Sequence, residues 1–297
     1  MNERRNKRLM QLVRRVHGLM DIDDTQKNRN SQDHLGSLYA NDKKFSFQGD
    51  NPNNMHGEWT HFISDQETAD STIIFYCHGG GYMTGSCLYA RSLTMKLAKY
   101  TRHDVFCFDY RLAPEHPYPA AVEDAVTAWN YIIAQGHAPQ NIIVAGDSAG
   151  GNLALALTLT LRSQHQELPK CLVLFSPWTD MTATSATYQS RLTLDPVLDP
   201  DYIRKAADSY LNGFCAKSPL VSPLLADLTG FPPTYIQVGN NEILLDDSVQ
   251  FHKHLQECNV SSSLDIFDNM WHVFQMTPIR TAREAILKVN SFLKKLP

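Results

Sequence analysis

A serine set between glycines, Gly146-Asp147-Ser148-Ala149-Gly150, stands where the apolar run NIIVAG gives way to the helical pattern GNLALALTLTL. A GxSxG spacing at a strand-to-helix junction suits a nucleophile, because the serine occupies a sharp turn where larger neighbours would strike the adjoining strand and helix. Upstream, TIIFYC ends in His78-Gly79-Gly80-Gly81-Tyr82. Consecutive glycines let the backbone approach a substrate and aim N–H groups at a developing oxyanion. Gly80, Gly81 and the N–H of Ala149 are therefore the candidate oxyanion donors, with His78 holding the loop by hydrogen bonds. A phosphate loop would need a lysine and a Ser or Thr after the last glycine, and here Tyr82 and Met83 follow.

A serine nucleophile needs a base within hydrogen-bond reach and an acid behind that base. His272, in FDNMWHVF, follows the last apolar run, whereas His78 and His116 precede the serine. In a sheet whose strand ends carry serine, acid and histidine in that chain order, His272 is the candidate base. The acid should lie just after the run PTYIQVG, where the chain reads VGNNEILLDD. Glu242 occupies that turn. Asp246 and Asp247 come one turn later, where they can cap the following helix and face its N-terminal dipole. Asn241 cannot replace an acid: a neutral amide does not stabilise imidazolium and can hold the wrong tautomer, at a cost of roughly 10⁴ in turnover.

The elements that must position these residues follow from the alternation of short apolar runs and longer helical patterns. STIIFYCH, DVFCFDY, NIIVAG, CLVLFS, PTYIQVG and SLDIFD read as strands, each bounded by Gly, Pro, Asp or Asn or by polar turns. Helical stretches are expected near 86–100, 119–135, 149–165, 247–258 and 281–295. Together they imply an α/β fold, a mostly parallel central sheet with helices on both faces. Two segments break the rhythm: the region up to about residue 50, and the long span from Pro177 to Pro232, whose length suits a lid or binding element. DKKFSFQGDNPNNMHG is polar and turn-rich and reads as the linker into the sheet.

The chain has 297 residues, 43% hydrophobic and 20% charged, with a net charge of -4, which fits one large domain with a lid and points to neither nucleic acid nor an anionic surface. The basic N-terminus lacks the apolar core of an export signal, and no stretch has the length of a membrane span, so no stable membrane insertion is expected. Leu9, Leu12, Val13, Val16 and Leu19 or Met20 instead predict an amphipathic helix laid on the protein. Six cysteines without a CxxC pair suggest free thiols in a reducing, cytoplasmic setting. Of twelve histidines the close pair His252 and His254 would face different ways on a helix, so neither a metal site nor a cofactor is expected.

HGGGY, DYRLAPEHPYPAAVEDA, GDSAGGN, SPWTD and the region from VGNNEILLDD to MWHVF occur in that order over about three quarters of the chain. In these motifs the sequence resembles the hormone-sensitive-lipase-like carboxylesterases of bacterial type, also called bacterial family IV esterases. The resemblance implies an α/β-hydrolase fold with a helical cap: residues 1–50 as the N-terminal part of the cap, 51–180 and 218–297 as the two parts of the core, and 181–217 as the cap insertion. It implies Ser148, Glu242 and His272 as the triad, with Asn241 replacing only a neighbouring aspartate of the acid motif. A small-molecule ester is the implied substrate, cleaved through an acyl-enzyme, and a homodimer through the sheet edge is the implied assembly.

Trp178, Trp271, Tyr82 and Tyr188 are the candidate substrate-binding aromatics, although residues of this type at strand ends serve equally as packing. Tyr188, Leu192, Leu194, Val197 and Leu198 could form an apolar roof or only the lid's own core. A lactone, a sugar acetate or an amide remain open as substrates. So do a non-catalytic ligand receptor, disfavoured by the presence of His272, and a lipase acting at an interface.

Overall fold

The computed structural model describes residues 9–15, 24–64 and 71–296. Its strands are β1 (Phe45–Asp50), β2 (Gly57–Phe62), β3 (Ile73–Cys77), β4 (Asp104–Phe108), β5 (Ile142–Asp147), β6 (Cys171–Phe175), β7 (Thr234–Gly239) and β8 (Ser262–Phe267). They form one sheet in the order β1-β2-β4-β3-β5-β6-β7-β8. β1 and β2 run antiparallel to their neighbours and all other pairs are parallel. Every residue of β3, β5, β6 and β7 is buried, which is why these strands read as continuous apolar runs rather than alternating ones. The chain order reverses between β3 and β5, and this opens a crevice at the strand C-termini of the kind in which α/β sheets bind ligands.

Helices cover both faces. α3 (Cys87–Thr101) and α9 (Arg280–Leu293) pack Leu93, Leu97, Ile286 and Val289 against one face. α4 (Ala120–Ala134), α5 (Ala149–Ser163) and α8 (Leu245–Glu257) pack Trp129, Leu153, Leu157, Phe251 and Leu255 against the other. Above the strand ends lie α1 (residues 9–15), α2 (Thr25–Ser37), the single turn α6 (Thr187–Ser190) and α7 (Pro200–Leu211). α7 begins where Asp199 accepts the Tyr202 N–H (2.8 Å) and Pro200 opens the first turn, and it ends at Asn212 in the left-handed region. No helix among the described residues is long and apolar enough to cross a membrane.

Two expectations need correction. The stretch taken as a linker, and the last residues of the segment taken as cap up to residue 50, contain the edge strand β1. Its alternation is real but short: Phe45 packs on Phe62 (5.3 Å between centroids), and the Arg91 guanidinium sits 4.3 Å over the Phe47 ring. Neighbouring Asn, Gly and Pro outweighed that signal, and the helical part of the N-terminal segment ends by Asn41. In α1, Leu9 and Val13 face the protein as expected, joined by Met10, but Leu12 is exposed; Val16, Leu19 and Met20 lie outside the described residues.

Candidate active site

β5 delivers Ser148 directly from its last residue, with φ 54° and ψ -121°. A non-glycine residue in this region carries strain of roughly 1–3 kcal/mol, held in place by its surroundings. A β-carbon on Gly146 would strike the Gly150 carbonyl, and one on Gly150 would strike the carbonyls of Cys77 and His78. The turn is pinned from β6, since the Ser148 N–H donates to Phe175 O (2.9 Å) and the Trp178 N–H donates to Ser148 O (3.1 Å).

β3 delivers the glycine loop. Gly80 and Gly81 have φ of 111° and 63°, conformations that only glycine adopts without strain. The Gly79 N–H donates to Asp147 Oδ1 (2.9 Å), and the same carboxylate accepts from Tyr76 (2.5 Å) and Tyr89 (3.1 Å) hydroxyls. The residue before the serine thereby holds the loop to the turn. Burial pushes the Asp147 carboxyl up, against the Tyr76 and Tyr89 hydrogen bonds and the nearby His78 and His272. Among the described residues no protein acceptor takes the N–H of Gly80, Gly81 or Ala149.

His78 is fully buried, stacks on Tyr110 (4.1 Å) and donates from Nδ1 to Gly79 O (2.8 Å). Burial lowers its pKa, so the ring is a neutral brace for the loop.

At the far side of the crevice, Glu242 is fully buried. Its Oε2 accepts from His272 Nδ1 at 3.0 Å, while Oε1 accepts from Ser176 Oγ (2.8 Å) and from the Gly239 N–H (2.5 Å). This fixes the tautomer of His272 and leaves Nε2 as the nitrogen with a lone pair. Burial works to lower the His272 pKa, but the Glu242 hydrogen bond and the charges of Glu242, Asp195 and Asp147 prevail and the net shift is upward. The residue after His272, Val273, donates its N–H to Ser176 Oγ (3.2 Å), and the Ser148 N–H donates to the carbonyl of the preceding Phe175 (2.9 Å), so both turns are tied to the end of β6.

Asn241 points elsewhere. Its backbone N–H donates to Met270 O (3.1 Å) and its side chain reaches Met10 of α1 (3.8 Å to Sδ). Asp246 and Asp247 sit in the first turn of α8, where the dipole favours them, but the helix has no side-chain cap. Asp246 accepts the Thr187 N–H (3.1 Å), and Asp247 accepts those of Thr179 (2.8 Å) and Asp180 (3.0 Å). Both tie the helix to the chain leaving β6 instead.

The four candidate substrate-binding aromatics are all buried, with protein partners. Tyr82 stacks on Tyr210 (3.7 Å) and donates to Asn152 (2.7 Å). The Trp178 indole donates to Asp180 O (3.1 Å). Tyr188 belongs to the main core, and Trp271 packs with Met270, Phe274 and residues of α1. Their contacts are those of packing. Of the roof residues, Leu198 is buried with that core, whereas Leu192 and Leu194 are exposed.

Three residues given no role from the sequence touch the site. Ser176, at φ 49°, links Glu242 to the Val273 N–H (3.2 Å); its one sequence signal is its place at the head of SPWTD. Asp195 of the cap insertion is buried and accepts the Ile243 N–H (3.0 Å), directly beside the acid. Burial pushes its carboxyl up to about 6. Tyr202 of α7 donates to Gly80 O (3.4 Å), so the cap touches the glycine loop. Nothing in the spacing of Asp195 or Tyr202 announces these contacts.

Residues 74–276 match the alpha/beta hydrolase fold family. The chain is 37% identical over 233 residues to an esterase of Acinetobacter venetianus, covering 77% of each. It is 36% identical to an acetyl-hydrolase of Streptomyces hygroscopicus over 76% of each chain. A crystal structure of an esterase from the bacterial hormone-sensitive lipase family superposes with a TM-score of 0.92 at 33% identity, covering 100% of this chain and 99% of that one. The chain belongs to the α/β-hydrolase fold family, among the hormone-sensitive-lipase-like carboxylesterases, and is a carboxylic ester hydrolase.

Proposed function

We propose that the protein is a serine carboxylesterase acting on short-chain acyl esters through a covalent acyl-enzyme. The observation that carries this reading is the buried Glu242–His272 pair, 3.0 Å apart, beside the strained serine turn. His272 Nε2 takes the Ser148 Oγ proton as that oxygen attacks the ester carbonyl carbon. The N–H groups of Gly80, Gly81 and Ala149 receive the oxyanion. As the tetrahedral intermediate collapses, His272 protonates the leaving alcohol; water then repeats the sequence on the acyl-enzyme and frees the acid. Glu242 stays ionised throughout, fixing the ring and balancing the imidazolium.

Short acyl groups are favoured by the relatives described as an acetyl-hydrolase and as an ethyl acetate hydrolase of Pseudomonas putida, the latter 28% identical over 240 residues and covering 78% of this chain and 75% of that one. In this reading α1, α2 and the insertion 181–217 act as the lid. β8, an edge strand, is the surface for a homodimer, and six free thiols suit a cytoplasmic location.

A panel of nitrophenyl esters from acetyl to dodecanoyl, run on the protein and on Ser148→Ala, tests the reading. Activity peaks at short chains, and kcat falls on the order of 10⁶-fold in the variant. Unchanged rates in Ser148→Ala would refute the nucleophile, and turnover confined to lactones or sugar acetates would refute the substrate class.

A further inference from the structure

On the face of the sheet covered by α3, His56, Cys87 and Asp109 bring a ring nitrogen, a thiol sulfur and a carboxylate oxygen all within 4.8 Å of one another. The sheet register explains the meeting. Gly57 pairs with Phe108, so the next pair outward is His56 with Asp109, and the Asp109 N–H donates to His56 O (2.8 Å). Side chains two apart on a strand share a face, which sets Cys107 beside Asp109. The first residue of α3, Cys87, lies over that face with Cys107 and Val105.

Asp109 Oδ1 accepts the Cys87 backbone N–H (2.6 Å), and Oδ2 accepts from His56 Nδ1 (3.0 Å). The Cys87 and Cys107 side chains belong to the same buried cluster. A carboxylate steadying a helix start with a histidine as its outer partner would account for the first two contacts. It gives no reason for two thiols at the same spot.

We propose that His56 Nδ1, Cys87 Sγ and Asp109 Oδ2 bind one borderline-soft divalent cation of the zinc class, with the Cys107 thiol as fourth donor. Two sulfurs, an imidazole and a carboxylate are the donor types that such a cation takes in tetrahedral geometry. With bonds of about 2.0–2.3 Å, tetrahedral donors stand about 3.3–3.8 Å apart, so small side-chain rotations bring His56, Cys87 and Asp109 into place, and Cys107 turns in from the neighbouring buried cluster as the fourth. The His56 side chain is 55% exposed and that of Asp109 37%, which gives the cation a path from solvent.

The cation replaces the proton between His56 and Asp109. That proton and the thiol protons of the ligating cysteines go to solvent as the metal bonds form; nothing is oxidised or reduced. The imidazole and the thiols ligate only in their deprotonated forms. Affinity therefore falls as pH is lowered. The sequence has no metal spacing to show, because His56 and Cys87 lie 53 and 22 positions from Asp109.

The test is a cobalt(II) titration of the full-length, chelator-treated protein in a phosphine reductant. The expected result is one equivalent bound, a sulfur-to-cobalt charge-transfer band with d–d bands of tetrahedral intensity, and displacement by zinc. Cys87→Ser combined with Cys107→Ser removes the band, and His56→Ala weakens cobalt binding about 10-fold or more. Nitrophenyl acetate hydrolysis reports that each variant is folded. Absence of the band in the parent protein overturns the proposal, as does a band of full strength in the double variant, which would place the sulfur at Cys215 or Cys258. Should the double variant not fold, the exposed His56 position decides alone, and an unchanged cobalt affinity in His56→Ala overturns the site.

Discussion

At the strand ends the backbone itself holds the site in register: Ser148 N–H to Phe175 O (2.9 Å), Ser176 N–H to Gln237 O (2.7 Å), Asn241 N–H to Met270 O (3.1 Å). The cap is held mainly by side chains. Arg29 of α2 donates to Met83 O (2.8 Å) and Ala113 O (2.9 Å), and Gln32 accepts the Gly85 N–H (3.1 Å). Asp195 accepts the Ile243 N–H (3.0 Å), and Tyr202 reaches Gly80 O (3.4 Å). A net contribution of about 0.5–1.5 kcal/mol is ordinary for such a contact, so cap contacts can be exchanged while the strand ends stay fixed. In the proposed reading the sheet carries out the bond-breaking chemistry and the cap governs the access of substrate.

The sharpest way to break this division is within the acid turn. Glu242→Gln keeps the shape but removes the charge behind His272, and kcat should fall on the order of 10⁴-fold, as measured by steady-state hydrolysis of nitrophenyl acetate. Asn241→Ala, one residue away, loses only a contact to Met10 and should stay within a few-fold of the parent, about the scale of a single weak contact. The reverse ranking would assign the acid to the wrong residue.

A smaller effect is expected from pH. Because the folded His272 pKa is raised, the acid limb of kcat/KM should have its midpoint above the ordinary value of 6.5. In Glu242→Gln the midpoint should move down, since burial then acts with less opposition. The sign for stability is opposite to that for activity. A raised histidine pKa adds stability fully below the unfolded value, and that contribution is lost as pH climbs through the folded one. His272 thus supports the fold most where the enzyme works least. A midpoint below 6.5 in the parent would mean that the Glu242 charge does not reach the ring in solution.

The smallest effect belongs to the cap. Asp195→Asn can turn an amide N–H toward the Ile243 N–H, leaving a buried donor unsatisfied at about 1–3 kcal/mol. Chemical denaturation should register that loss, and the ester-length profile should shift more than the acetyl kcat. An unchanged profile with a collapsed kcat would make Asp195 part of the chemical apparatus and blur the division.

The same contrast decides what the sequence could show. β3, β5, β6 and β7 are buried on both faces, so apolar runs mark them, and the glycines at 146 and 150 mark a turn where β-carbons cannot fit. β1 and β2 form the two-stranded antiparallel margin, and the polar residues around them carry too little periodicity to outweigh turn chemistry. Ser176 and Asp195 acquire their parts only through contacts 66 and 48 positions away, to Glu242 and Ile243. For Tyr82, Trp178, Tyr188 and Trp271, residue type predicts a place in an apolar environment but not whether that environment is pocket or core. Sequence places Asn241 in the acid turn, and only the structure shows its side chain directed toward Met10 of α1.

The central claim is that Ser148 is the nucleophile that takes up the acyl group in this ester hydrolase. Titration with a serine-reactive alkyl phosphonate, followed by peptide mass spectrometry, tests it most directly. The account predicts that esterase activity disappears in proportion to a single adduct on Ser148, and that Ser148→Ala takes no label. Activity that persists with Ser148 fully modified, or that is lost with the adduct on another residue, would contradict it.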